Sequence, residues 1–494
     1  MRDYTLFIPE YIAAGGAVAV IAVELIWPRV RKDILAYATA IIALAWGVAA
    51  LFWIGKDPLS FQGLIQVDDF TTFFRVLGAG IVFVTALLSA QFIGERSKVA
   101  GEYFGLLLIA GCGMAMMAAA RELLTAYLSL EVLSFSLYIL VGFYKRDKRS
   151  SEASLKYILL GAFASATLLY GISLIYGITG STYYDGIADG LASRASGTDA
   201  ATLVALMLVL AGVGFKVSAM PFHMWAPDAY QGASMPITAF LSTLSKAAGF
   251  ALILRLFTGA FLDDAEEWRW AVASLAAITM VGGNLIAIQQ TDLKRLIAYS
   301  SIGQVGYMLI VIAAIGWGDE LAGQAASSAL LLHIVGYVAS TLALFAAAIA
   351  YFNRTGKDSL EGMRGMAETQ PFLALVITAS LFSFAGLPLF AGFATKLFMF
   401  QASTAGGDLL WLIGVAVASS FISLFYYLRI MRWIWLFDPV AGMTRFRVPP
   451  MLWSVTAVLM LAVVFIGAYP APVFEAADEA VKPLFQLGAD IAGP

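Results

Sequence analysis

Apolar residues arrive in this chain in long runs, broken by short connections rich in charge, glycine and serine. Runs of about 20 apolar residues suit helices that cross a hydrocarbon core about 30 Å thick. Fourteen are read, at 5–27, 34–54, 70–93, 102–119, 122–143, 153–177, 201–223, 235–257, 268–289, 295–315, 324–351, 371–400, 408–436 and 450–470. Arg121 marks the division between the fourth and fifth. The first run is too long for the apolar core of a signal peptide, and Met1-Arg2-Asp3 is not a basic leader, so it counts as a membrane helix. The wider connections, around 178–200 and 352–370, read as loops, and 1–494 as a single membrane domain.

Charge is placed with a bias. Connections after odd-numbered runs carry Arg29, Lys32, Lys145, Arg149, Arg354 and Arg445, whereas the other side is acidic, with Asp68, Asp185, Asp263, Asp319 and Glu475. Lys and Arg collect in cytoplasmic loops. The alternation therefore predicts an even number of crossings with both termini on the outer side.

Composition agrees with a membrane protein. The chain is 61% hydrophobic and 13% charged, against about 25% charged in soluble proteins, and its mean hydropathy is +0.84. A single cysteine, Cys112, allows neither an internal disulfide nor a cysteine-ligated iron–sulfur cluster, and two histidines argue against a haem or zinc site. Gly212-Val213-Gly214 is followed by Phe215, Lys216 and Val217, without the third glycine of a dinucleotide fingerprint. Energy from nucleotides or electrons must enter elsewhere.

Two runs share a broken-helix design: LVALMLVLAGVGFKVSAMPFH at 203–223 and ALVITASLFSFAGLPLFAGFATK at 374–396. Pro221 cannot donate to the carbonyl of Val217, nor Pro388 to that of Phe384, so each helix should lose a backbone bond near mid-membrane. One such break reads as a proline kink. A pair, each with a lysine nearby, points to a transport site, because broken backbone at that depth needs protein or water around it.

Ionisable residues inside the runs carry the functional signal. A charge at the bilayer centre costs about 2.5–3.5 kcal/mol on insertion scales. Glu131 lies mid-run in LTAYLSLEVLSFSLY and should pair with Lys216, which sits among Gly212, Gly214 and Ser218. Lys246 has Ser242 one turn earlier and Gly249 three residues later, which predicts a polar, open face. His333 is central in 324–351, and Lys396 follows the second break. A lysine desolvated between helices can alternate between charged and neutral forms. Glu131, Lys216, Lys246, His333 and Lys396 are thus read as a water-joined proton relay, with His223 as an accessory group or a cap of the broken end. Glu24, Lys156 and Arg255, near run ends, read as interfacial anchors, and Asn284, Gln289, Gln304 and Gln324 as inter-helix hydrogen-bonding groups.

Two stretches carry a resemblance: GFKVSAMPFHMWAPDAYQGASMPITAFLSTLSKAAGF at 214–250 and TDLKRLIAYSSIGQVGYM at 291–308. They are similar to the proton-translocating, antiporter-like membrane subunits of respiratory complex I, and the similarity covers most of the chain. The resemblance implies an all-α polytopic fold of about fourteen transmembrane helices, two of them discontinuous. It also implies two inverted five-helix repeats, 102–223 plus 235–257, and 268–436. By matching position, Glu131 and Lys216 resemble the family's pair, Lys246 its central relay and Lys396 its distal group. The L and M subunits usually carry a lysine shortly after the histidine of the eleventh helix. Here His333 is followed by Ile334-Val335-Gly336-Tyr337, so His333 with water should stand in for that lysine. The M subunit places glutamate where Lys396 stands, and no long lateral helix follows the fourteenth run here.

No redox group or metal is implied for this chain; FMN, iron–sulfur clusters and quinone are expected in partner subunits. The partners implied are neighbouring antiporter-like and small membrane subunits, the lateral helix of the L subunit, and lipids, with no nucleic acid. The location implied is a bacterial inner membrane. Two alternatives stay open: a subunit of a sodium/proton antiporter, and a scaffold that retains its ionisable groups without using them.

Overall fold

Helix starts and stops follow local chemistry. Glu122, Asp147, Asp292 and Asp319 each accept a hydrogen bond from a backbone N–H of the following first turn, starting four helices. Gly180 and Gly356, with φ of 72° and 68°, close two of these same helices in the left-handed conformation that glycine adopts without a steric penalty. The structure, a computed structural model, describes residues 4–96, 99–193, 200–317, 319–356, 359–404, 408–439 and 443–485.

From a 3-10 turn at Tyr4–Phe7 the chain runs through α1 (Ile8–Ile26) and α2 (Lys32–Leu51) into an antiparallel hairpin, β1 (Leu59–Phe61) and β2 (Ile65–Val67). There follow α3 (Asp69–Arg96), α4 (Gly101–Ala119), α5 (Leu123–Val141), α6 (Lys148–Thr179) and a short α7 (Tyr184–Ala192). The middle of the chain holds α8 (Ala200–Val217), the short α9 (Trp225–Gly232), α10 (Met235–Gly259), α11 (Ala265–Ile288), α12 (Leu293–Ile315) and α13 (Glu320–Thr355). A 3-10 turn and α14 (Met366–Thr369) lead to α15 (Pro371–Ala385), α16 (Ala391–Ser403), α17 (Leu410–Trp435), α18 (Pro450–Ala468) and α19 (Ala471–Phe485).

Thirteen helices among the described residues are long and apolar enough to cross a membrane. They coincide with thirteen of the expected runs. The remaining run, 371–400, is divided into α15 and α16, of 15 and 13 residues, each too short to span alone. The connection at 178–200 contains α7, and the hairpin and α19 also fall outside the expected runs; residues 194–199 and 357–358 of the two wider connections lie outside the described residues.

Burial is inverted relative to a soluble protein. Large apolar side chains such as Ile41, Phe163, Tyr170, Phe421 and Leu461 face outward from α2, α6, α17 and α18. At the centre, α10 is buried along its length from Met235 to Thr258, and α12 and α13 nearly so. The central helix carries a cation the sequence reading misplaces. Arg255, taken for an interfacial anchor, is 1% exposed and pairs with Asp68 at 2.7 Å while donating to the Ala118 carbonyl at 2.9 Å. Burial alone would raise the Asp68 carboxyl; the Arg255 guanidinium and bonds from Thr71 outweigh it and hold the carboxyl below its ordinary value. Glu24 is likewise no free anchor: it accepts from the backbone N–H groups of Ala100 and Gly101, at the start of α4, and from Lys32. Lys156 is exposed as expected and bridges Glu152 and Asp228. A second buried pair, Arg75 with Glu10 at 2.7 Å, ties α3 to α1.

Candidate functional site

Both broken helices end in the same way, before their prolines are reached. In α8, Ser218 adopts φ 61°, its N–H bonds the Phe215 carbonyl at 2.9 Å, and the Ala219 N–H reaches back to Gly214 at 2.8 Å. In α15, Gly386 adopts φ 82°, its N–H bonds Ser383, and the Leu387 N–H reaches back to Phe382, both at 3.0 Å. Each is a Schellman stop, with the left-handed residue just past the helix. Proline then prevents the helix from resuming, at Pro221 and Pro388. Other groups satisfy the irregular backbone: Trp225 donates to the Phe215 carbonyl at 2.8 Å, and the Met220 N–H donates to Thr279 at 3.0 Å.

The carbonyls that the prolines cannot serve are taken by lysines. Lys246 Nζ donates to the Val217 carbonyl at 2.7 Å and to Ser218 Oγ. Lys396 Nζ donates to the Phe384 carbonyl at 2.8 Å, which also accepts from Gln304 at 3.1 Å. Each ammonium therefore sits against the negative end of a helix, where a cation is favoured. Each also lies over an aromatic ring, Lys246 over Trp225 at 5.3 Å and Lys396 over Tyr307 at 4.2 Å. Lys246 is 1% exposed and Lys396 4%.

Gly249 acts differently from the sequence expectation. Instead of opening a polar face, it lets α10 press against the end of α8: a Cβ there would stand 2.5 Å from Val217 Cγ1. That approach brings Lys246 within reach of the Val217 carbonyl.

Glu131 and Lys216 are neighbours without a direct ion pair. Lys216 Nζ donates to Ser134 Oγ at 2.8 Å, one turn along α5 from Glu131, and Glu131 accepts from Ser165 of α6. Coulombic coupling still joins Glu131 to Lys216, and Lys216 to Lys246. Ser245 donates to the Lys216 carbonyl at 3.3 Å, tightening the same junction.

His333 Nδ1 shares a hydrogen bond with Thr395 Oγ1 at 2.8 Å, beside Lys396, while its Nε2 is buried without a partner. It is coupled electrostatically to Lys396. His223 lies in the irregular segment after α8, coupled to Lys246, its ring 6.2 Å from that of Tyr299 and its Nδ1 unpartnered. The structure thus gathers the expected residues into two groups: Glu131, Lys216, Lys246 and His223 on one side, His333 and Lys396 on the other.

Sequence reasoning missed Ser134 and Thr395, hydroxyls that receive Lys216 and His333, and set Ser218 beside Lys216 where the structure has it receive Lys246. A small hydroxyl residue within a turn of each buried ionisable group was the available signal. Asn284, Gln304 and Gln324 do join helices, through Ser419 at 2.7 Å, the Phe384 carbonyl and Asp478 at 3.2 Å respectively. Among the described residues, no cluster of three or more His, Cys, Asp and Glu side chains could hold a metal ion.

A family model for the transmembrane part of NADH:quinone oxidoreductase and Mrp antiporters matches residues 120–423, a span that contains every group of this site. The chain belongs to this family of antiporter-like membrane subunits. It is 40% identical over 442 residues to NADH-quinone oxidoreductase subunit N of Dehalococcoides mccartyi, covering 88% of this chain and 90% of the relative. Subunit N of Moorella thermoacetica is 37% identical over 475 residues, 96% of this chain and 97% of the relative. A chain in the structure of respiratory complex I from Thermus thermophilus with bound aureothin superposes with a TM-score of 0.79 at 31% identity, over 96% of this chain and all of that one.

Proposed function

We propose that this chain is the proton-translocating subunit N of an NADH-quinone oxidoreductase, and that Glu131, Lys216, Lys246, His333 and Lys396 carry the protons. The observation behind the reading is that two helices broken at mid-length each have the orphan carbonyl at the break occupied by a buried lysine. Each lysine is held by a carbonyl, and Lys246 by a hydroxyl as well, with no carboxylate among the described residues bonded to either. Such a lysine can release a proton as neutral amine when a neighbouring charge moves.

The first group supplies that neighbour. A proton arriving on Glu131 removes the negative charge that favours a positive Lys216, and Lys216 and Lys246 repel one another when both are charged. Loss of charge on one therefore promotes uptake on the other. His223, coupled to Lys246 and next to the helix break, is the accessory group through which protons reach Lys246. In the second group His333 exchanges with Lys396 through Thr395. The two matching breaks support two inverted halves, and the Lys- and Arg-bearing connections after odd-numbered runs support both termini on the outer face of a bacterial inner membrane.

The electrons are handled elsewhere: FMN, iron–sulfur clusters and quinone lie in partner subunits, while the neighbours of this chain in the membrane are the antiporter-like and small membrane subunits and the lateral helix of the L subunit. Quinone reduction there drives the charge movements here. The family description also covers Mrp antiporters, so sodium transport is the alternative; a buried lysine at each helix break favours protons over a second cation.

The test is Lys246→Ala in the intact complex, reconstituted in vesicles with a pH-sensitive dye. The expected result is an assembled complex whose pumping and coupled turnover fall by about tenfold or more. Pumping at the level of the unaltered complex would reduce the chain to a scaffold, and pumping that requires sodium would select the antiporter reading.

A further inference from the structure

Resting on the relay reading, we infer that Tyr337 is the link through which protons pass between the Lys246 group and the His333–Lys396 group. The two groups are separately wired. Lys246 is bonded to Val217 and Ser218 at the end of α8, whereas His333 is bonded to Thr395 and Lys396 to Phe384, at the break between α15 and α16. The protein between them is the face of α13 one turn beyond His333, and there the side chain is Tyr337.

Tyr337 is 5% exposed. Its hydroxyl donates to the Ser242 carbonyl at 3.1 Å and shares a hydrogen bond with Ser301 Oγ at 2.8 Å. Ser242 lies one turn before Lys246 on α10, so the phenol is fastened to the turn that carries the central lysine. Its ring packs 6.0 Å from that of Phe384, whose carbonyl accepts from Lys396. One side chain thus touches the helix of Lys246 with its hydroxyl and the residue that receives Lys396 with its ring. His333, four residues earlier on the same face of α13, presents the unpartnered Nε2.

A phenol suits this place because it donates and accepts at one oxygen without carrying net charge, so it adds no ion between the two lysines. In the transfer, Lys246 loses a proton and becomes a neutral amine, and the phenol oxygen takes a proton from that side through water or Ser301. The phenol's own O–H bond breaks toward the other side, and His333 Nε2 gains the proton to become imidazolium. Tyr337 ends as it began, after its hydroxyl turns back to the Ser242 carbonyl.

The experiment compares Tyr337→Phe, Tyr337→His and Lys246→Ala in the intact reconstituted complex, reading assembly, protons moved per NADH, and the solvent deuterium isotope effect on coupled turnover. Tyr337→Phe keeps the ring against Phe384 and removes the hydroxyl. The expected result is an assembled complex, pumping down by about tenfold, a larger isotope effect, and recovery of most of the pumping with His, which can also donate and accept. Should Lys246→Ala lose pumping while Tyr337→Phe pumps normally, the bridge is wrong and the relay stands; normal pumping in both removes the relay itself. A loss in Tyr337→Phe that His does not recover, with the isotope effect unchanged, marks a purely structural tyrosine and also overturns the inference. If Tyr337→Phe does not assemble, Ser301→Ala replaces it with the same readouts: a larger isotope effect supports the bridge, and an unchanged one overturns it.

Discussion

Replacing Ser218 by glycine separates two roles that meet in this residue. The backbone at Ser218 is left-handed, φ 61°, a conformation that costs a side chain with a Cβ about 1–2 kcal/mol. Glycine relieves that strain but adds about 0.5–1 kcal/mol of freedom to the unfolded chain, so the backbone balance lies within about 1 kcal/mol of neutral or slightly favourable. The hydroxyl is the real loss, since Ser218 Oγ receives Lys246. A hydrogen bond to a charged group is worth about 1.5–3 kcal/mol. The net destabilisation is then about 1–2 kcal/mol, small beside the roughly 5–15 kcal/mol that hold a domain folded, and the complex should assemble. If the hydroxyl steadies Lys246 in the proton step, the same energy becomes about a 10- to 100-fold slower step, since about 1.4 kcal/mol is tenfold in rate. Ser218→Ala should pump as poorly as Ser218→Gly yet be less stable, because it loses the hydroxyl and keeps the strain. Pumping by vesicles containing each variant, set beside thermal unfolding of the same preparations, tests this. Normal pumping by an assembled Ser218→Gly complex would refute the role given to the hydroxyl.

Two further outcomes follow from the ion pairs. Arg255→Met leaves Asp68 buried and unpaired, at a cost of about 3–5 kcal/mol, while the double change with Asp68→Leu should recover most of it; the yield of protease-resistant complex measures both, and a double variant no better than the single one would contradict the pairing. At Asp228, burial works to raise the carboxyl, but hydrogen bonds and charge from Lys156 and Arg295 prevail and hold it below its ordinary value. A lowered folded value means that this stabilisation is complete above the unfolded pKa of about 3.9 and is lost as pH falls through the folded value. Asp228→Asn should therefore flatten the acid side of the unfolding-temperature curve, by a small amount because the group is partly solvated; an unchanged acid slope would show that the network contributes nothing.

The spans were legible in the sequence because lipid imposes a length and an apolar composition that no packing detail alters. The orphan carbonyls of Val217 and Phe384 were legible too, since a proline's missing N–H names its own i−4 partner. The stop itself was not: Ser218 gives no warning of a left-handed backbone, whereas Gly386 could have. Lysine depth was readable for Lys216, Lys246 and Lys396. Their acceptors were not, because α10 meets α8 through a contact at Gly249 that depends on three-dimensional approach. The same limit explains Arg255, whose place near a helix end suggested water while its true neighbour, Asp68, lies 187 positions earlier. Tyr337 was passed over because a tyrosine in an apolar helix looks like an ordinary aromatic until its hydroxyl is seen between Ser242 and Ser301.

One regularity bears on how such a chain can be made at all. Arg75 finds Leu6 and Glu10, Lys216 finds Ser134, Lys246 finds Val217 and Ser218, Arg255 finds Asp68 and Ala118, and Lys396 finds Phe384. In every case the acceptor has left the ribosome before the cation. Since synthesis delivers the N-terminal segments first, each of these five charges enters the bilayer with its acceptor already there; Arg121, between two spans, differs, with Gln66 made before it and Asp185 after it.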